Sequence, residues 1–247
     1  MTHGKALPAL LLAALSIGGP GAARAEDSIR IALIEPYSGP LAAVGSDFLQ
    51  GMQLIVDGIN KSGGVLGKKL EIVPLDSANN VEKTTEQLRK AIDDGIVYIS
   101  EGTSSNNALA IIEQVNKHNE RNPDHQVLFL NHSAVTTSFT NEQCSFWHFR
   151  FDSNVDQKLA GLLTAMGRDE KVKRVFLVNQ NYELGRSVQA AANQMFAKRV
   201  PKAEVVGDEL IVPFGGHNGR PAARGRLLAS RYASATMTCA SGARLRE

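Results

Sequence analysis

Three consecutive hydroxyl residues, Thr103, Ser104 and Ser105, stand where a short apolar stretch gives way to a helical pattern. Ile96, Val97, Tyr98 and Ile99 read as a buried strand, and Ala108, Ile111, Ile112 and Val115 recur at helical spacing just beyond. The hydroxyls are therefore placed at a helix N-terminus, where unpaired backbone N–H groups and the positive end of the helix dipole face outward. Such a turn can hold a carboxylate. It can equally be a plain N-cap, with Ser104 or Ser105 closing its own helix. This stretch by itself supports both readings.

Other residues offer other chemistry, and most of it fails on spacing. Ser104 lacks a G-x-S-x-G frame, because Asn106 stands two residues after it. His132 follows the next strand, and a triad with Ser104 would also need an acid; a lone histidine there is more commonly a loop residue. Gly63 to Lys68 resembles a phosphate loop only in part. Lys69 occupies the place of the required Ser or Thr, and the run follows a helix instead of a strand, so it reads as a turn. No cofactor or metal is expected. Tyr182 leaves a strand end, where a phenol can close over an apolar ligand while its hydroxyl bonds the polar end. Trp147 lies in an aromatic run and reads as packing.

These residues must be positioned by alternating strands and helices. Ile29, Ile31, Leu33 and Ile34 form a first strand, stopped by Glu35-Pro36-Tyr37-Ser38-Gly39-Pro40. A loop from Tyr37 to Gly45 follows, and Ser46 and Asp47 are expected to cap a helix with Phe48, Met52, Ile55 and Ile59 on one face. A glycine turn at 62–67 leads to a strand from Leu70 to Leu75, then to a helix carrying Val81, Leu88, Ala91 and Ile92 and closed by Gly95. After the hydroxyl turn and its helix come the strand Val127 to Leu130 and a polar turn from Asn131 to Thr137. Strands that alternate with helices make a parallel sheet covered on both faces, with ligands bound beyond the carboxyl ends of the strands. The three polar turns converge there. Residues 146–151 are expected to cross to a second lobe, where a helix from Val155 to Met166, strands at 174–178 and 205–212 and a helix to about Arg199 repeat the alternation.

Residues 1–25 have a different character. His3 and Lys5 precede an apolar run from Ala6 to Ile17, and Ala23-Arg24-Ala25 offers a cleavage site, the layout of a secretory signal peptide. Its core is too short to span a bilayer comfortably. Without Lys5 and Arg24 the 27 bases become 25, against 25 acids, so no nucleic-acid partner is implied. Cys144 and Cys239 make neither a framework nor a metal site, and Cys144 is read as a free thiol. The domain reading is a signal peptide at 1–25, a first α/β lobe at 26–150, part of a second at 151–215 and a basic, disordered tail at 216–247. From Gly216 the chain holds six arginines, no lysine and one acid, without apolar period, which suits translation continued in another frame and a truncated, inactive copy.

Taken together, Pro36 to Gly45, Ser62 to Glu71, Phe139 to Cys144 and Tyr182 to Arg186 resemble the periplasmic leucine-binding protein family, over roughly Ser28 to Phe214. The resemblance implies a two-lobed type I periplasmic-binding-protein fold with parallel sheets flanked by helices, its second lobe incomplete in this chain. It implies the solute-binding component of an ABC importer, a binding protein and not an enzyme. The ligand would be a branched-chain or other amino acid, an amide or an aromatic acid, presented in the periplasm to a permease of the inner membrane. The family's carboxylate-binding serine falls on Ser104, its backbone-contributing position on Ser133 and its aromatic lid on Tyr182, with Ser105 as a lesser donor. A family threonine falls on Val135, with Thr136 beside it; Val44 replaces a first-loop aromatic, which Tyr37 is expected to supply instead. The alternatives are a secreted serine hydrolase using Ser104 or Ser105, or a ligand-sensing domain of the same fold.

Overall fold

A computed structural model describes residues 28–211. The proposed signal peptide and the basic tail lie outside the described residues. Twelve elements position the site: β1 Ile29–Glu35, α1 Ala42–Lys61, β2 Leu70–Asp76, α2 Val81–Asp93, β3 Tyr98–Glu101, α3 Ser105–Arg121, β4 Leu128–Asn131, β5 His148–Arg150, α4 Val155–Arg168, β6 Arg174–Gln180, α5 Glu183–Arg199 and β7 Glu204–Ile211. A 3-10 turn, Thr137–Thr140, lies between β4 and β5.

The first sheet is parallel throughout and runs in the order β2-β1-β3-β4-β5; β6 and β7 form a second parallel pair. In such an order the chain winds outward in opposite directions from β1 and β3, so the loops after them part and leave a crevice at their carboxyl ends. Ala108, Ile111, Ile112 and Val115 of α3 and Leu88 and Ala91 of α2 pack on Ala32, Ile34, Ile99 and Phe129 of the sheet. A second cluster joins Val155, Leu159 and Leu163 of α4 to Ala191, Ala192 and Phe196 of α5. Val135, from the loop after β4, is buried within that second cluster.

Several local expectations are corrected. The first helix begins at Ala42 and Leu41 is its N-cap, without a side-chain cap bond, so Ser46 and Asp47 do not start it. The reason is tertiary: a Cβ at Gly45 would stand 2.2 Å from the Pro36 carbonyl oxygen, and only a glycine lets the extra turn settle there. On α1 the expected Phe48, Met52 and Ile59 are half-buried, but Ile55 is 64% exposed and Val56 is buried in its place. Val81 is likewise exposed at the start of α2. The aromatic run does not cross to the second lobe; its His148–Arg150 portion adds β5 to the first sheet, beside β4. β3 starts two residues later than expected, which moves Ser100 and Glu101 from the polar turn into the buried strand. Cys144 is held in a disulfide, so its sulfur is not a free thiol.

Candidate functional site

The carboxyl ends of β1, β3 and β4 bring the sequence-predicted residues into one region. Ser104 is the N-cap residue of α3, in extended conformation, yet its hydroxyl makes no cap bond. Ser105 Oγ is buried and has no hydrogen-bond partner, and Thr136 Oγ1 is in the same condition. Buried hydroxyls are ordinarily satisfied, so the unpartnered Ser105 hydroxyl in the first turn of α3 marks a place for an acceptor. Ser133 braces the adjoining turns, its hydroxyl donating to the Gly102 carbonyl at 2.8 Å.

The second lobe reaches this region through the first turn of α5. The Glu183 N–H donates to Asn106 Oδ1 at 3.2 Å, which sets the start of α5 against the start of α3. Tyr182, the N-cap of α5, is half-buried beside that contact, and burial pushes its phenol pKa up. Tyr37 is directed elsewhere: its hydroxyl donates to the Leu33 carbonyl at 3.3 Å and its N–H to Asp76 Oδ1 at 2.8 Å. Its phenol is therefore already committed within its own loop. Val44 lies on the exposed side of α1, and Val135 is core of the second cluster. Trp147 packs against the first core and edge-on to Phe146.

Sequence reading missed the groups that hold the hydroxyl turn from beneath. Glu35, the last residue of β1, accepts from the Gly102 N–H at 2.8 Å and from the Thr103 hydroxyl. Glu101, the last residue of β3, accepts from the Ser104 N–H at 2.8 Å. Both carboxyls are fully buried. Burial pushes Glu35 up to about 7; burial and the neighbouring Glu35 charge hold Glu101 well above the usual carboxylate range. A buried acid with a raised pKa binds a proton that the unfolded chain releases, so its folded form loses stability as pH rises from the ordinary carboxylate range toward 7. The available signal was positional: each acid ends a strand just before a polar turn.

His132 completes the floor. Burial lowers its pKa to about 4, so it is neutral. It fits against the turn only because residue 102 is glycine: a Cβ there would meet the imidazole at 2.6 Å and the Ser133 N–H nitrogen at 2.7 Å. Its Nδ1 stands 3.3 Å from Ser100 Oγ and its Nε2 3.2 Å from Glu35 Oε1. Neither nitrogen is engaged with Ser104 or Ser105. A hydrolytic serine needs a base within hydrogen-bonding reach, and the described residues do not supply one here. Nor do they include a group of three or more metal-ligating side chains.

A cavity of about 680 Å³ opens between the 3-10 turn and α5, lined by Thr136, Thr137, Asp156, Glu183, Arg186 and Ser187 among others. None of Thr103, Ser104 and Ser105 lines it, so it does not contain the hydroxyl turn.

Two parallel α/β sheets whose helix N-termini face each other across their strand ends define a two-lobed solute-binding architecture. The chain belongs to the periplasmic binding protein family, whose model matches residues 28–223. It is similar to the Leu/Ile/Val-binding protein homolog 4 of Brucella abortus, 33% identical over 201 residues that make up 81% of this chain and 46% of that protein. A solved relative, the closed leucine-, isoleucine-, valine-, threonine- and alanine-binding protein of Brucella ovis, aligns with a TM-score of 0.66 at 32% identity, over 75% of this chain and 47% of that one. The benzoate complex of a solute-binding protein from R. palustris shares the fold with a TM-score of 0.64 at 22% identity, over 75% and 48%. The chain thus spans about half the length of these relatives.

Proposed function

We propose that the protein is the extracytoplasmic solute-binding component of an ABC importer, taking a branched-chain amino acid or a related small carboxylate and presenting it to an inner-membrane permease. The observation that carries this reading is the buried, unpartnered hydroxyl of Ser105 in the first turn of α3. Ligand carboxylate would dock on Ser104, Ser105 and the first N–H groups of α3, with the Ser133 turn at its side and Tyr182 closing from the second lobe. Binding then favours the closed arrangement by the difference in affinity between closed and open forms, and by no more than that. The Brucella proteins are named for Leu, Ile and Val and the R. palustris protein holds benzoate, which supports both ligand classes. Calorimetry with L-leucine and with benzoate tests the reading. Saturable binding of either is expected, and heats indistinguishable from dilution for both would overturn it.

A lid acts mainly on escape, so Tyr182→Ala should raise the ligand off-rate by about ten- to a hundredfold, the value of one buried aromatic contact, with little change in on-rate. Stopped-flow displacement would measure this; an unchanged off-rate would make Tyr182 a packing residue only.

A further inference from the structure

Among the described residues, the two acids beneath the hydroxyl turn have no cation to balance them. In the parallel register Leu33 pairs with Ser100, so Glu35 and Glu101 follow at adjacent levels of neighbouring strands. Glu101 Oε2 is buried without a hydrogen-bond partner. Among the described residues no Lys or Arg pairs with either carboxyl. Facing them are the Tyr37 phenol after β1, Asp76 at the end of β2, and His132 after β4. Asp76 is itself engaged by Lys83 at 2.6 Å and by Ser38. From α1 comes only Phe48, edge-on to His132 at 4.4 Å, and the first turn of α3 carries no acid.

The histidine supplies no charge either. The Ser100 hydroxyl donates its one hydrogen to the Leu130 carbonyl at 3.0 Å, so it can only accept from His132 Nδ1. That places the ring hydrogen on Nδ1 and leaves Nε2 bare toward Glu35. Nε2 stands 3.2 Å from Glu35 Oε1, yet it is a buried nitrogen without a hydrogen-bond partner. The approach is close but not aligned for N–H donation, as a bare nitrogen requires. A proton on Glu35 therefore has two acceptors in reach, His132 Nε2 and the Thr103 hydroxyl oxygen.

We propose that Glu35 and Glu101 are positioning residues that between them hold a proton beneath the socket, so that docking of a carboxylate at Ser104 and Ser105 is accompanied by proton uptake. Two carboxylates in one dry pocket cannot both ionise without a large electrostatic cost. A third negative charge on the same helix N-terminus competes for the same N–H groups and tightens the hold on the proton. Linkage is reciprocal: if the ligand favours protonation, protonation favours the ligand. Burial pushes Glu35 up to about 7, which sets the window around neutrality. The inference rests on the socket reading above.

Benzoate, a monoanion without an amine, is the probe, titrated by calorimetry from pH about 6 to about 9 in two buffers of different ionisation heat. Wild type is expected to take up protons near pH 7, and its affinity to fall with rising pH, at most about tenfold per pH unit for one proton. Glu35→Gln keeps an acceptor for the Gly102 N–H and removes the titration, so its profile should flatten; Glu101→Gln serves if that variant does not fold. Binding with a flat wild-type profile, or a wild-type slope retained in Glu35→Gln, overturns the proposal and leaves the socket reading standing. If benzoate does not bind, L-leucine is titrated in its place on the same criteria, and absence of binding by both at every pH overturns the coupling together with that reading. The unliganded protein gives an independent check: its infrared spectrum at pH about 6 should show a protonated-carboxyl stretch that a variant carrying both Glu35→Gln and Glu101→Gln lacks. A wild-type spectrum without that band also overturns the buried proton.

Discussion

A Phe129→Ala variant is expected to lose about 3 to 5 kcal/mol of stability, the cost of deleting a buried aromatic ring and leaving a cavity. Phe129 is fully buried on β4, between β3 and β5, and shares one cluster with Ile99, Ile111, Ile112 and Phe139. The His148 ring stacks at 5.2 Å on its far side, so neighbouring side chains have little freedom to fill the space. Domains of this kind have only about 5 to 15 kcal/mol to lose. Urea unfolding followed by circular dichroism should show a much lower midpoint; a midpoint within error of wild type would mean that β4 is not central to the core.

Ser104→Ala is expected to weaken binding of a carboxylate by about 1.5 to 3 kcal/mol, or roughly ten- to a hundredfold, because it deletes one donor to a charged group at a site with little water. The sequence ranks Ser105 below Ser104. In the structure Ser105 Oγ is itself buried without a partner, and on that ground Ser105→Ala should lose as much. The helix gives a control. Neither hydroxyl caps α3 by bonding to its own backbone, so thermal unfolding of the two variants should match wild type while calorimetric affinity drops. Loss of stability without loss of affinity would reassign both serines to the helix itself.

Much of the fold was legible because it follows apolar periodicity. Ala108, Ile111, Ile112 and Val115 mark the buried face of α3, and all four are buried. Where the reading failed, a contact distant in sequence had decided the outcome. Nothing local to Ser46 and Asp47 reveals that Gly45 will rest on Pro36 and lengthen the helix by a turn. Nothing local to Tyr37 shows that its phenol will turn back to Leu33. The acids are the most instructive case. Glu35 and Glu101 look like turn residues because ionisable groups are seldom fully buried, and only their shared hold on Gly102, Thr103 and Ser104, from two different strand ends, brings them together. The hydroxyl turn could be found from residue types; its electrostatic floor could not.

Val135 belongs by position to the first sheet and by packing to the second core, and the Val155 N–H donates to its carbonyl at 2.9 Å. The cluster formed by α4, α5 and β6 thus has one wall supplied from the loop after β4. Excised at the crossover, that half would expose the seat of Val135 and lose part of its own interior. The two halves are consequently coupled in folding: the second gains its full cooperativity only once the first has placed that loop, and melting of the first removes a support of the second. Were one lobe to rotate on the other, a hinge placed elsewhere than this loop would pull the Val135 side chain out of a packed interior.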